Sequence, residues 1–134
     1  MTQEEKDLLL KDLCARLPYW VKVKVKYYDD DWKLLAIYTN GTTYATRDIG
    51  YPIETYFEDC KPYLFPLSSM TEEQKKEYRK VCELDTEILS KHPMDETPFP
   101  ALYNSHDWLN KNHFDIYGLI PIGLANDATG LNIY

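Results

Sequence analysis

The run Val21-Lys22-Val23-Lys24-Val25-Lys26, set between Tyr19-Trp20 and Tyr27-Tyr28, alternates apolar and cationic side chains with a period of two. A strand puts Val21, Val23, Val25 and Tyr27 on one side and Lys22, Lys24 and Lys26 on the other, because successive strand side chains point to opposite faces. A helix would scatter the same ammonium groups around its circumference and leave no apolar stripe. The run therefore demands a sheet with one sealed face and one wet face, the habit of antiparallel sheets.

The neighbouring segments supply partners for that strand. Asp29-Asp30-Asp31 reads as a turn, Trp32 to Tyr38 as a second strand, and Asn40-Gly41 as a hairpin signal leading into a third strand over Thr42 to Asp48. After a break at Gly50 to Pro52, Ile53, Thr55 and Phe57 alternate with Glu54, Tyr56 and Glu58 in a fourth strand. A short fifth strand over Tyr63 to Leu67, between Pro62 and Pro66, suits an edge position, where a missing N–H does no harm.

Helical periodicity appears on either side of the sheet. Residues 2–17 open with Thr2 and Glu5 as a capping box, carry Leu9, Leu10, Leu13, Cys14 and Leu17 as one stripe, and stop at Pro18. Residues 71–91 repeat the device with Thr71 and Gln74, and bury Tyr78, Val81, Cys82, Ile88 and Leu89. Pro93, Pro98 and Pro100 make 92–102 an extended connector. A third helix spans Ser105 to His113, anchored by Trp108, Leu109 and Phe114, and the glycine- and proline-punctuated tail from Ile116 to Tyr134 cannot be one long element. The expected fold is α+β in a single domain, 1–134. A small bent antiparallel sheet of four or five strands (19–67), closing like an SH3-like barrel, carries the first helix and the helix at 71–91. The short helix and tail (103–134) close one end.

A chain of 134 residues buries about two thirds of its unfolded surface and needs neither metal nor disulfide to fold. Cys14, Cys60 and Cys82 are an odd number, widely spaced, which points to reduced thiols and a cytoplasmic setting. The polar start Met1 to Lys6 is no signal peptide, and no run of about 18 apolar residues would span a membrane. A net charge of −7 opposes approach to nucleic acid or anionic lipid. Twelve tyrosines favour a binding role, since tyrosine offers a large rigid surface with a polar tip.

Three stretches, KDLCARLPYWVKVKV (11–25), KPYLFPLSSMTEEQKKE (61–77) and DWLNKNHFDIYGLI with GLANDATGLNIY (107–120 and 123–134), resemble a family of short uncharacterised proteins from phages and prophages of gut Bacteroidales. The likeness spans both ends and the middle and leaves about 29–58 and 83–104 divergent. It brings no activity or site residue with it. What it implies is context: a phage accessory protein in the cytoplasm of a bacterial host cell. Capping, turns and core contacts account for most residues of these stretches.

The lysine stripe is the sharpest chemical feature. Lys22, Lys24 and Lys26 stand roughly 6.5 to 7 Å apart along one face. With Tyr28, Trp32, Tyr44 and Arg47 beside them they would hold a small anionic, nucleotide-like ligand by combining cations with aromatic faces. The plain alternative is a solvated face whose lysines are balanced across the ladder by Glu54 and Glu58. His106 and His113, seven apart on one helix, are about 10 Å apart, too far for one metal ion, so capping or surface hydrogen bonding accounts for them and no metal or cofactor is expected. Cys60 beside Lys61 is a candidate for a lowered thiol pKa, although a buried structural cysteine is the commoner case. No nucleophile, phosphate-loop or dinucleotide motif occurs, which disfavours an enzyme.

The expected function is thus a non-enzymatic phage accessory binding protein, an anti-defence protein that sequesters a nucleotide-derived immune signal or occludes a host defence protein. The alternatives are a protein-binding regulator or adaptor of phage or host transcription or replication and, below it, a small hydrolase or nuclease. Unpaired sheet edges make a homo-oligomer a further expectation.

Overall fold

The computed structural model describes residues 1–91 and 104–134. Among the described residues six strands form one sheet: β1 (Lys22–Val25), β2 (Asp31–Ile37), β3 (Thr42–Thr46), β4 (Ile53–Tyr56), β5 (Cys60–Leu64) and β6 (Asn126–Asp127), in the order β4-β3-β2-β1-β5-β6. The first five are antiparallel to their neighbours, whereas β6 runs parallel to β5. The helices are α1 (Gln3–Arg16), α2 (Glu72–Lys91) and α3 (Asn104–Lys111). The α+β architecture follows the patterning. The sheet stays open at β4, so barrel closure is not made, and the tail supplies a sixth strand that turn chemistry did not reveal.

The valine face seals the interior as the alternation requires. Val21, Val23 and Val25 are fully buried against Leu9 and Leu13 of α1 and against Trp32, Leu34, Ala45, Phe57, Cys60 and Leu64. Tyr27 does not share that face. β1 ends at Val25, and Tyr27 takes φ 73° in the turn and is 89% exposed. A second cluster of Trp108, Leu109 and Phe114 with Phe65, Tyr78 and Val81 joins α3 to α2, so α2 packs chiefly on α3 instead of directly on the sheet. The side chains of Ile88 and Leu89 and the connector 92–102 lie outside the described residues.

Thr2 caps α1 with its hydroxyl, and Thr71 and Gln74 form the full reciprocal box on α2. Glu5 N–H donates to Thr2 Oγ1 at 3.1 Å, and Thr71 and Gln74 exchange bonds at 2.9 and 3.2 Å. Inside α1, however, Asp12 and Arg16 are fully buried. Arg16 Nε and Nη2 donate to the two Asp12 oxygens at 2.8 and 2.9 Å, and Nη2 also donates to the Phe114 carbonyl at 2.5 Å. The guanidinium thereby ties α1 to the chain beyond α3.

β5 is an interior strand, contrary to its expected edge position, because Pro62 faces the right way. Lys26 N–H donates to the Asp59 carbonyl at 2.9 Å, so alternation turns Lys24/Lys61 toward each other and aims the Pro62 nitrogen away from β1. β6 begins pairing only at Tyr63, beyond that nitrogen.

Candidate functional site

β1 lies between β2 and β5, and its wet face gathers lysines from all three strands. Lys22 stands opposite Lys33, and Lys24 stands between Asp31 and Lys61. Like charges directly opposite one another destabilise a sheet. Lys24 Nζ donates to the Asp29 carbonyl at 2.9 Å, and Lys33 reaches Asp48 at 3.8 Å. Asp31 is engaged by the Tyr63 hydroxyl, whose pKa is pushed up to about 12, first by burial and then by that carboxylate.

Two depressions open beside these residues. The first, about 440 Å³, is lined by Lys24, Lys26, Lys61, Glu58 and Asp59. The bond from Lys26 N–H to Asp59 brings Lys26 over the start of β5, and the β1/β5 register sets Lys61 across from Lys24. Glu58 leans on Lys6 of α1 at 3.4 Å, so the three lysines of the cleft outnumber its carboxylates, one of which is already paired. The second depression, about 450 Å³, is lined by Lys22, Lys33, Arg47, Asp30, Asp31, Asp48 and Ile49. There the charges cancel in pairs, Arg47 with Asp30 and Lys33 with Asp48.

The residues expected to form one site are therefore divided. Lys24 and Lys26 line the cationic cleft, while Lys22 and Arg47 line the balanced one. Trp32 is only 2% exposed and belongs to the core, which removes it as a ligand contact. Tyr28 meets the Trp32 ring edge-on at 5.5 Å and the Arg47 guanidinium lies 5.0 Å over it, so these three side chains are together, but as a cover for the core. Tyr44 sits on the wet face of β3 beside Tyr38 and Glu54, with β2 between it and β1. Glu54 lies on the far strand and balances none of the β1 lysines, and Glu58 serves Lys6.

Lys61 and Asp59 are absent from the expected site, and Glu58 enters it only as a balancing acid. Their place depends on the register of β5 against β1, which the two prolines obscured. Tyr27, next to the cleft, presents its ring to solvent with Lys26 Nζ 5.2 Å from its centroid. A left-handed φ is uncommon for an aromatic residue and marks a position worth examining for function.

Cys60 is fully buried, as the commoner reading expects, while His113 leaves the helix assigned to it. Burial and then Asp59 push the Cys60 thiol up to about 12, the opposite of an activated cysteine. α3 stops at Lys111, so His113 lies beyond it with φ 62°, its ring stacked on Tyr134 at 3.6 Å. Burial, then Arg16, lowers the His113 pKa to about 4. Among the described residues no group of three or more His, Cys, Asp or Glu side chains is arranged to hold a metal, and no helix is long and apolar enough to cross a membrane.

No family model matches the chain, and no curated protein or solved structure is significantly similar to it. The cleft must speak through its own chemistry. It is of ordinary ligand-pocket size, within the range of about 300 to 1,000 Å³. Its three ammonium groups come from two strands and a turn and suit an anion with more than one charged oxygen group.

Proposed function

We propose that this protein is a non-catalytic binding module that takes a small phosphate-bearing, nucleotide-like ligand into the cleft of Lys24, Lys26 and Lys61. The observation that carries the reading is the convergence of these three lysines in a chain whose net charge is −7. Lysines directly opposite one another repel, and a bound phosphate relieves the like-charge pair Lys24/Lys61. The exposed Tyr27 ring supplies a face on which a base can stack. The resemblance to phage and prophage proteins makes a nucleotide signal of bacterial antiviral defence the first ligand class to try, with sequestration as the physiological outcome.

Calorimetric titration with pyrophosphate, cyclic dinucleotides and cyclic ADP-ribose isomers tests this. At least one should bind with one-to-one stoichiometry, weaken at high salt, and lose about tenfold or more in affinity in Lys61→Glu, the scale expected for a charge-assisted contact. Absence of heat with every one of them, at low salt and with nothing carried through purification, would reject the reading for these ligands.

A protein-binding role has its own support in Tyr27, Ile49 and Tyr51, which are 89, 82 and 91% exposed on the two loops at one end of the sheet. In that reading a phage or host partner copurifies from infected cells, and Tyr51→Ala abolishes its recovery.

A further inference from the structure

The strand order leaves the outer side of β4 without a partner strand among the described residues. Which of its groups face outward follows from one bond. Phe57 N–H donates to the Gly41 carbonyl at 3.2 Å, in register with Thr43 opposite Thr55 and Ala45 opposite Ile53. Antiparallel ladders alternate, so Ile53 and Thr55 exchange bonds with β3 while Glu54 and Tyr56 turn their N–H and C=O groups away from it. Both residues are exposed. Of these groups, the Tyr56 carbonyl receives the Cys60 thiol at a long 3.6 Å, which leaves it free to accept a second donor.

We propose that this edge pairs with β4 of a second copy of the chain, antiparallel about a two-fold axis at Thr55. Glu54 of each copy then lies opposite Tyr56 of the other, and the two N–H and two C=O groups that each copy turns outward satisfy one another. Residues directly opposite share a face, so the pairing can shift only in steps that keep this parity. A shift one way sets Glu54 opposite Glu54, two carboxylates face to face. A further shift that way sets Glu54 opposite Pro52, which has no N–H to give. A shift the other way sets Tyr56 opposite Tyr56 and brings Glu54 opposite Glu58, again two carboxylates. The register centred on Thr55 avoids all three. It also repeats outside the molecule a pair that already exists inside it, since Glu54 stands beside Tyr44 on β3 and raises its pKa. Tyr56, 53% exposed, adds apolar area to the junction. No residue of β4 lines the lysine cleft, and the pairing uses β4 alone, so this inference does not depend on the ligand reading.

Sedimentation equilibrium of the full chain from about 10 µM to about 1 mM covers the range expected of a short, weak interface. Amide exchange is read in parallel by NMR. The wild type should shift from monomer to dimer across this range, with the Glu54 and Tyr56 amides exchanging at least about fivefold more slowly at the upper end. Glu54→Pro removes an N–H that β3 does not use, and should remain monomeric with an unchanged circular dichroism spectrum. A monomer at every concentration overturns the proposal. So does a dimer that survives Glu54→Pro, or one in which the exchange of these two amides is indifferent to concentration. Should Glu54→Pro fail to fold, the wild-type exchange rates alone decide.

Discussion

Arg16 and Asp12 show how far a residue's role can depart from its local pattern. Charges four apart on an amphipathic helix read as a surface pair, and nothing nearby in the sequence announces that the Phe114 carbonyl will arrive as a third partner. Burial raises the Asp12 pKa, with Arg16 opposing it. The same neighbourhood sets the behaviour of His113, whose pKa is lowered from the usual 6.5 to about 4. Between those values the unfolded chain binds a proton that the folded chain refuses, so stability rises with pH there, is complete above about 6.5, and falls as the solution is acidified toward 4. His113→Asn removes the titration and tolerates the left-handed backbone. Chemical denaturation should show the wild type losing about 2 kcal/mol more than this variant between pH 7.5 and 5.0, at about 1.4 kcal/mol per pKa unit. Parallel losses in the two proteins would show that burial of the imidazole is not what acid opposes.

At the scale of elements, legibility followed local chemistry. α1, α2, the Asn40-Gly41 hairpin and the wet and dry sides of β1 were readable, because caps, turn residues and period are written in consecutive positions. Pairing between distant segments was not, and β5, β6 and the cleft depend on it. Tyr134 shows why. Lys22 and Tyr63 occupy the next hydrogen-bonding pair of β1 and β5, yet the Tyr134 hydroxyl sits between them, accepting from Lys22 N–H at 2.9 Å and donating to the Tyr63 carbonyl at 2.8 Å. A side chain 71 positions from Tyr63 thus completes the ladder where the two strands separate. Tyr134→Phe should leave both backbone groups short of a partner at a cost of about 1 to 3 kcal/mol, read as a lowered denaturation midpoint with faster exchange at the Lys22 amide. An unchanged midpoint would mean that water replaces the hydroxyl without loss.

For the whole molecule, the acidic balance conceals a local inversion. Charge counted along the chain gave the correct sign for the bulk and no view of the cleft, because Lys24 and Lys61 become neighbours only through strand pairing. The aromatic half of the expected site failed for a related reason: Trp32 is large and apolar, and the valine face of β1 claimed it for the core. A small phosphate-bearing guest on β1 and β5 and a second copy on β4 would use separate strands of the one sheet. The most direct test is an NMR titration of the labelled protein with a cyclic dinucleotide at low salt. Saturable shifts should centre on Lys24, Lys26, Tyr27, Asp59 and Lys61 and disappear in Lys61→Glu. Saturable shifts centred on any other surface, or shifts that persist unchanged in that variant, would contradict the assignment of the lysine cleft.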